Sequence, residues 1–226
     1  IVDGHLYGRV IDIIRNGSKL MILAAGMTMV LATGGTDISV GSVMAISGAV
    51  ACSIISGSLF PAVGGSVAVA ICAAVAAGVL CGLWNGFLVA KIKIQPIVAT
   101  MILMVAGRGI AQLITSGKII TVNSGAYYFI NGGYILGLPF PVFIVLFVVI
   151  ILILFTKKTA FGLFLESTGC NSLASKFAGI HVDKIKLLVY TCCGTLAAVA
   201  GLIESAGIKG ADCNNAGLMI EMDAIL

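Results

Sequence analysis

The chain has 226 residues, of which 60% are hydrophobic, with 13 basic and 9 acidic side chains and a formal net charge of +4. Soluble domains are about 45–50% apolar and about 25% charged, so 10% charge cannot cover a water-facing surface. The same arithmetic excludes intrinsic disorder, and scattered basic residues give no nucleic-acid footprint. The composition places the chain in a lipid bilayer.

Residues 1–16 read as an amphipathic lead-in, with Leu6, Val10, Ile13 and Ile14 at helical spacing. A crossing needs about 20 mostly apolar residues. Windows that meet this are 17–35, 38–57, 64–90, 95–116, 139–156 and 187–207, which predicts an all-α, polytopic transmembrane bundle of about six spans. The uncharged run 38–90 holds two of them, with a turn expected around Gly57, Pro61 and Gly64-Gly65. In the second uncharged run, 119–156, the first half carries Asn123, Asn131, Gly132-Gly133 and three tyrosines and is too polar to span. On the third span Ala70, Ala74, Gly78, Gly82 and Gly86 recur every four residues. Such a stripe lets helix backbones approach closely where lipid supplies no hydrophobic drive.

Lysines set the orientation. The loop 157–186 carries Lys157, Lys158, Lys176, Lys184 and Lys186 against Glu166 and Asp183, so the positive-inside rule makes it cytoplasmic. Parity puts the Lys91/Lys93 turn and Asp37 on the same side, and 118–138 and 209–223 outside. Arg15 and Lys19 fall on the outer side, against the rule. The chain starts at Ile1 rather than Met and stops at Leu226 inside an apolar run. It therefore reads as an internal piece of a longer protein, one transmembrane domain over 1–226, truncated at both ends.

Several polar positions call for an explanation. Gly34-Gly35-Thr36-Asp37-Ile38-Ser39 interrupts an apolar region. It reads either as a tight turn, with Thr36 or Asp37 capping the next helix, or as a gate on a pathway, with Asp37 and Ser39 lining it. Arg108 and Glu204 lie inside spans, toward their outer halves, where charge is costly and usually paired or functional. Each either snorkels alone to the headgroups, pairs with the other, or faces a shared pathway. Lys209–Asp223 adds Asp212, Asn214, Asn215 and Glu221, a set suited equally to binding sugar hydroxyls and to a solvated outer loop.

No chemistry of its own is visible. Gly117-Lys118 is followed by Ile119, so no P-loop forms. The seven cysteines form no CxxC pair and read as small core residues, and the two histidines form no HExxH. No metal, cofactor or catalytic set is expected. An ion-coupled carrier would want paired acids near the midplane, where the spans offer only an off-centre Glu204; an intramembrane enzyme would want clustered His, Asp or Ser.

The loop LESTGCNSLASKFAGIHVDKIK (165–186) contains a predicted short amphipathic helix over 171–178, bounded by Gly179. This loop, AAGMTMVLATGGTDISVGSVMAISGAV (24–50), GLWNGFLVAKIKIQPIVATMILMVAGRGIAQLITSGKIITVNS (82–124) and GIKGADCNNAGLMIEMDAIL (207–226) together make up about half of the chain. In these segments the sequence resembles the sugar-type ABC importer permeases of the ribose and galactose class, the galactofuranose permeases among them. The resemblance implies a multi-pass permease of a bacterial inner membrane that takes up a monosaccharide. It implies a second permease chain, cytoplasmic ATP-binding subunits and an external sugar-binding protein as partners. It also implies that the cytoplasmic loop is the coupling helix, with Glu166, Gly169, Asn171, Ala174, Ala178 and Gly179 matching the family pattern. Thr36 departs from the branched aliphatic residue usual in GG-x-D, and Ser167 from the common Ala. Similar proteins continue beyond Leu226 into a Gly-rich loop and further spans.

Overall fold

A computed structural model describes residues 8–58, 65–135 and 137–225. Ten helices are present among them: α1 (Arg9–Ala32), α2 (Val40–Ile55), α3 (Val67–Phe87), α4 (Pro96–Ile114), α5 (Gly125–Gly132), α6 (Phe140–Lys158), α7 (Ala160–Cys170), α8 (Ser172–Phe177), α9 (Val182–Ile208) and α10 (Ile220–Ile225). A five-residue π turn, Leu88–Ile92, extends α3. Four helices, α3 with its π turn, α4, α6 and α9, are long and apolar enough to cross a membrane, and α2 is a shorter apolar helix. All six expected windows coincide with helices, with ends shifted by a few residues.

The lead-in and first span are not separate. Helix α1 runs unbroken from Arg9 through Ala32, because no proline interrupts it and Gly17 weakens a helix without ending it. Leu6 and the side chain of Val10 lie outside the described residues. So do Pro61 and Gly64 of the expected turn, which is bracketed by Gly57 and Gly65, both at positive φ.

Helix α9 is the axis of the bundle. Its most extensive partner is α3, followed by α2 and α1. The stripe on α3 explains that ranking: Ala70, Ala74, Gly78, Gly82 and Gly86 are all buried, and they meet α9 in antiparallel register. A Cβ on Gly82 would lie 2.5 Å from the Tyr190 carbonyl oxygen and 2.8 Å from Thr191 Cα, and one on Gly86 would lie 2.9 Å from Leu187 Cα. Gly194 of α9 returns the approach, since its Cβ would lie 2.8 Å from Gly82 Cα. The two backbones are therefore in direct contact over several turns. Helix α6 is the opposite case. Pro141 is its only buried residue among those described, and its exposed Leu146, Phe147, Ile150, Ile151 and Leu154 form an apolar outer wall.

The two ends of the bundle are distinct. At one, β1 (Ile120–Thr121) pairs antiparallel with β4 (Gly210–Ala211); we call this the ladder end. A second small ladder joins β2 (Tyr134–Ile135) to β3 (Leu138–Pro139). Helix α5, eight residues long, packs on α9 near the ladder end. It is far too short to span, as its composition predicts. At the other end lie the Lys91–Lys93 turn, the Gly34–Ser39 break and helices α7 and α8, so the sequence parity groups these segments correctly.

The segment after α9 departs from expectation. It does not remain outside as a solvated loop. From Ala211, clustered with Ala51 and Ile54, it passes Cys213, clustered with Ala45 and Ala49, and reaches Gly217, whose carbonyl abuts Gly41. That descent follows α2 backwards for about 12 residues, or about 18 Å at 1.5 Å per residue. Helix α10 then buries Ile220 and Ala224 in the main core beside α1.

Candidate functional site

The re-entrant segment is irregular backbone inside an apolar bundle, which is tolerated only where protein satisfies its polar groups. Arg108, a little over three turns into α4, does so. Its Nη1 donates to the carbonyl oxygens of Cys213 (2.9 Å), Asn214 (3.1 Å) and Ala216 (3.1 Å). One turn further along α4, Gln112 Nε2 donates to Asn214 Oδ1 at 2.7 Å. Asp212 closes the turn, accepting from the Asn214 and Asn215 backbone N–H groups at 3.1 and 3.3 Å and from Asn215 Nδ2 at 2.7 Å. The Asn215 amide, foremost, and these N–H groups hold the Asp212 carboxyl below the usual carboxylate range. Asn214 and Asn215 are exposed, and their side chains serve this turn.

The expected Arg108–Glu204 pair does not form. Glu204 instead pairs with Lys19 of α1 at 3.5 Å, and its Oε2 is buried without a partner. Nearby, Arg15 Nε donates to Asn131 Oδ1 at 2.9 Å, and Asn131 Nδ2 donates to the Ile203 carbonyl at 2.8 Å. These contacts account for the two cations that stood against the positive-inside rule. Each is held by protein at the ladder end rather than left to choose a membrane face. A charge that pairs with backbone carbonyls, as Arg108 does, carries no partner signature that sequence spacing could reveal.

At the other end, Asp37, Ser39 and Asn85 are each at most 1% exposed. Asp37 Oδ1 accepts from the Ser39 backbone N–H at 2.9 Å and from Ser39 Oγ at 2.6 Å, and Asn85 Nδ2 donates to Ser39 Oγ at 2.8 Å. Tyr190 Oη donates to the Thr36 carbonyl at 3.2 Å. The break is thus a packed joint between α1, α2, α3 and α9. Asp37 binds the N–H of the residue preceding α2 rather than the helix's own free N–H groups. Thr36 Oγ1 and Asn85 Oδ1 are buried without partners. Asn85 was not singled out by the sequence reading; an isolated amide set between Gly82 and Gly86 on the small-residue stripe is the signal that points to it.

The 165–186 segment holds more structure than a connector. Helix α7 precedes α8, and the Asn171 side chain caps α8, accepting from the N–H groups of Leu173 (3.1 Å) and Ala174 (3.0 Å). Ser175 Oγ ties α8 to the Ser167 carbonyl at 2.7 Å. Gly169 lies against the Ala32 carbonyl at the end of α1, so α7 touches the bundle where α1 stops. Gly179, at φ 85°, ends the unit. Glu166, Ala174 and Ala178 are exposed, and Leu173 and Phe177 project at 69% and 91% exposure. A short, rigidly capped helix with a bare apolar knob is a shape suited to docking.

Among the described residues no group of three His, Cys, Asp or Glu side chains could hold a metal ion, and all seven cysteines are free. Cys52, Cys193 and Cys213 are buried, Cys81 and Cys192 partly so, while Cys72 and Cys170 are exposed.

No solved structure matches the chain. It is 50% identical to the galactofuranose transporter permease protein YtfT of Escherichia coli strain K12, over 99% of this chain and 64% of that protein. It is 40% identical to the fructose import permease protein FruF of Bifidobacterium longum, over 99% of this chain and 62% of that one. It is 36% identical to the ribose import permease protein RbsC of Haemophilus influenzae, over 96% and 66% respectively. The chain therefore spans a little under two thirds of the length of these relatives. The family model for the permease component of branched-chain amino acid transport systems matches residues 9–226, and the chain belongs to that family of polytopic membrane permease components.

Proposed function

We propose that the chain is the greater part of a permease subunit of an ATP-driven monosaccharide importer in a bacterial inner membrane. The observation that carries this is identity of 36–50% along nearly the whole chain to permeases named for galactofuranose, fructose and ribose. The lysine-rich end faces the cytoplasm. There the exposed knob of α8, with Glu166, Gly169, Asn171, Ala174, Ala178 and Gly179 around it, meets an ATP-binding subunit. Closure of the ATPases pushes α7–α8, and the Gly169–Ala32 contact passes the displacement to α1 and the joint at Asp37 and Ser39. The spans then rock about a central path shared with a second permease chain. Arg108, Glu204, Asn214 and Asn215 belong to the outer half of that path, where an external binding protein delivers the sugar.

The test is uptake of radiolabelled D-ribose, D-galactose and galactofuranose into proteoliposomes carrying the full-length permease, its ATPase and its binding protein. Uptake that needs both partners and ATP is expected. Uptake that proceeds without either, driven by an ion gradient, would overturn the reading in favour of an ion-coupled carrier.

A further inference from the structure

Asp37 is 1% exposed, so the described helices close it off by themselves and leave no room for a further side chain at its carboxyl. It makes no ion pair among the described residues. The charges on the elements around it are directed elsewhere. Helices α2 and α3 carry none. On α1, Arg15 and Lys19 are held at the ladder end, and Arg108 of α4 is held by the re-entrant carbonyls. Asp12 of α1, Lys91 of the π turn, Glu166 of α7, and His181 and Lys184 at the start of α9 are exposed. Asp183 and Lys186 of α9 line a cleft with Lys93 and Lys176 that does not include Asp37. Glu221 of α10, against Gly41 in the first turn of α2, would add negative charge rather than offset it. The titratable groups near enough to sense Asp37 are Cys81 of α3 and Tyr190 and Cys193 of α9. All three are acids, so none supplies a positive charge.

A carboxylate taken out of water without a counter-charge is costly, and such groups are paired or take up a proton. Ser39 gives Asp37 donors but no positive charge. Both of its bonds, 2.9 Å from the N–H and 2.6 Å from Oγ, fall on Oδ1. That suits a neutral carboxyl with Oδ1 as its carbonyl oxygen and the proton on Oδ2. The break lies between α1 and α2 rather than within a helix. Burial there, foremost, pushes the carboxyl up, against the downward pull of the Ser39 bonds. We propose that Asp37 carries a proton while the joint is packed and releases it to water when the joint opens, so that movement of the cytoplasmic end is linked to pH. Parting α1, α2, α3 and α9 at the break admits cytoplasmic water, and a hydrated carboxyl ionises in its ordinary range. The packed joint then binds one more proton than the open one. Opening is hardest below the ordinary carboxylate range. It eases by about tenfold per pH unit between that range and the value of the buried carboxyl, and levels off above it. The bound proton stands on burial and geometry alone; the opening rests on the reading of the chain as a permease.

Two measurements on the full-length protein test it. Infrared spectra in an ester-free detergent compare wild type with Asp37→Asn at about pH 6, roughly two units above the ordinary aspartate value. The wild type should show the carbonyl stretch of a protonated carboxyl, shifted by deuterium oxide and by carbon-13 in the aspartate carboxyls, and Asp37→Asn should lack it. Other protonated acids contribute equally to both proteins and cancel. An absent band, or one that survives Asp37→Asn, overturns the bound proton. Should that variant not fold, a wild-type band that carbon-13 aspartate leaves in place overturns it equally. In a background with the native cysteines replaced, Ile38→Cys then reports opening through its labelling by an impermeant thiol reagent on the cytoplasmic side, normalised to Lys184→Cys. The normalised rate should rise several-fold between about pH 5 and about pH 7 with Asp37 present and stay level with Asp37→Asn. A response that is the same in both, absent from both, or falling as pH rises overturns the link to opening. If the reconstituted complex imports no sugar, the permease reading fails, while the infrared comparison still decides the bound proton.

Discussion

Gly82→Ala tests the direct backbone contact between α3 and α9. The added Cβ would lie 2.5 Å from the Tyr190 carbonyl oxygen and 2.8 Å from Thr191 Cα, whereas non-bonded carbon contacts settle at about 3.5–4.0 Å. Both obstacles are backbone, so no rotamer change relieves them and the helices must part by about 1 Å. A gap of about 0.5–1 Å forfeits roughly a quarter to a half of the dispersion well for each affected contact, and overpacking typically costs about 1–3 kcal/mol. Against this stands the helix preference of alanine over glycine, about 1 kcal/mol. The steric loss wins because it spreads along the most extensive helix pair in the bundle. Gly17→Ala in α1 isolates the opposing gain, since a Cβ there meets nothing within 4 Å. Unfolding of the full-length variants in detergent should place Gly82→Ala about 1–2 kcal/mol below wild type and Gly17→Ala up to about 1 kcal/mol above it. Equal stability of the two variants would refute the close-packing account.

Further substitutions probe the polar joints. Arg108→Met strips the donor from three carbonyls of the re-entrant segment. At about 1–3 kcal/mol for each stranded buried acceptor, discounted for the exposed Asn214 carbonyl, the local cost is about 2–5 kcal/mol. Hydrogen exchange across 212–225 should rise sharply while α9 stays protected; unchanged protection would mean that packing alone holds the segment. Ser39→Ala removes the hydroxyl between Asp37 and Asn85 and leaves the Asn85 amide wholly unpartnered, since its Oδ1 already is. A loss of about 2–4 kcal/mol is expected, partly recovered by adding Asn85→Ala; a double mutant as costly as the sum of the singles would argue against coupling. Lys19→Met and Glu204→Gln should show a coupling energy near 1 kcal/mol in a double-mutant cycle, modest because both side chains are part-exposed. A coupling indistinguishable from zero would reduce that pair to a coincidence of position.

The spans were legible because membrane burial imposes one demand, about 20 apolar residues, that leaves its mark in a single local window. The stripe on α3 was legible for a related reason, as small residues every four positions specify a face without naming the partner. Partners were less accessible. Nothing in the spacing of Arg108 shows that it binds carbonyls more than 100 residues away, or that Glu204 turns to Lys19 instead. The re-entrant segment was misplaced because its asparagines and acids look like a solvated loop. The feature that permits its descent is a side chain on another helix.

The placement of charge ties these findings together. In water a charge can be left to solvent; inside this bundle each one must be answered by the chain itself. Arg15 and Lys19 are answered by Asn131 and Glu204, and Arg108 by three carbonyls. Asp37 is answered by Ser39. Once those pairings are made, the buried Oε2 of Glu221, which lies against Gly41, still has no donor among the described residues. Glu204 Oε2 is likewise unpartnered, but its carboxylate already has Lys19 as a counter-charge, whereas Glu221 has no cation within ion-pair distance among the described residues. Of the acids held inside the bundle, Glu221 is therefore the one with neither a donor to that oxygen nor a counter-charge among the described residues.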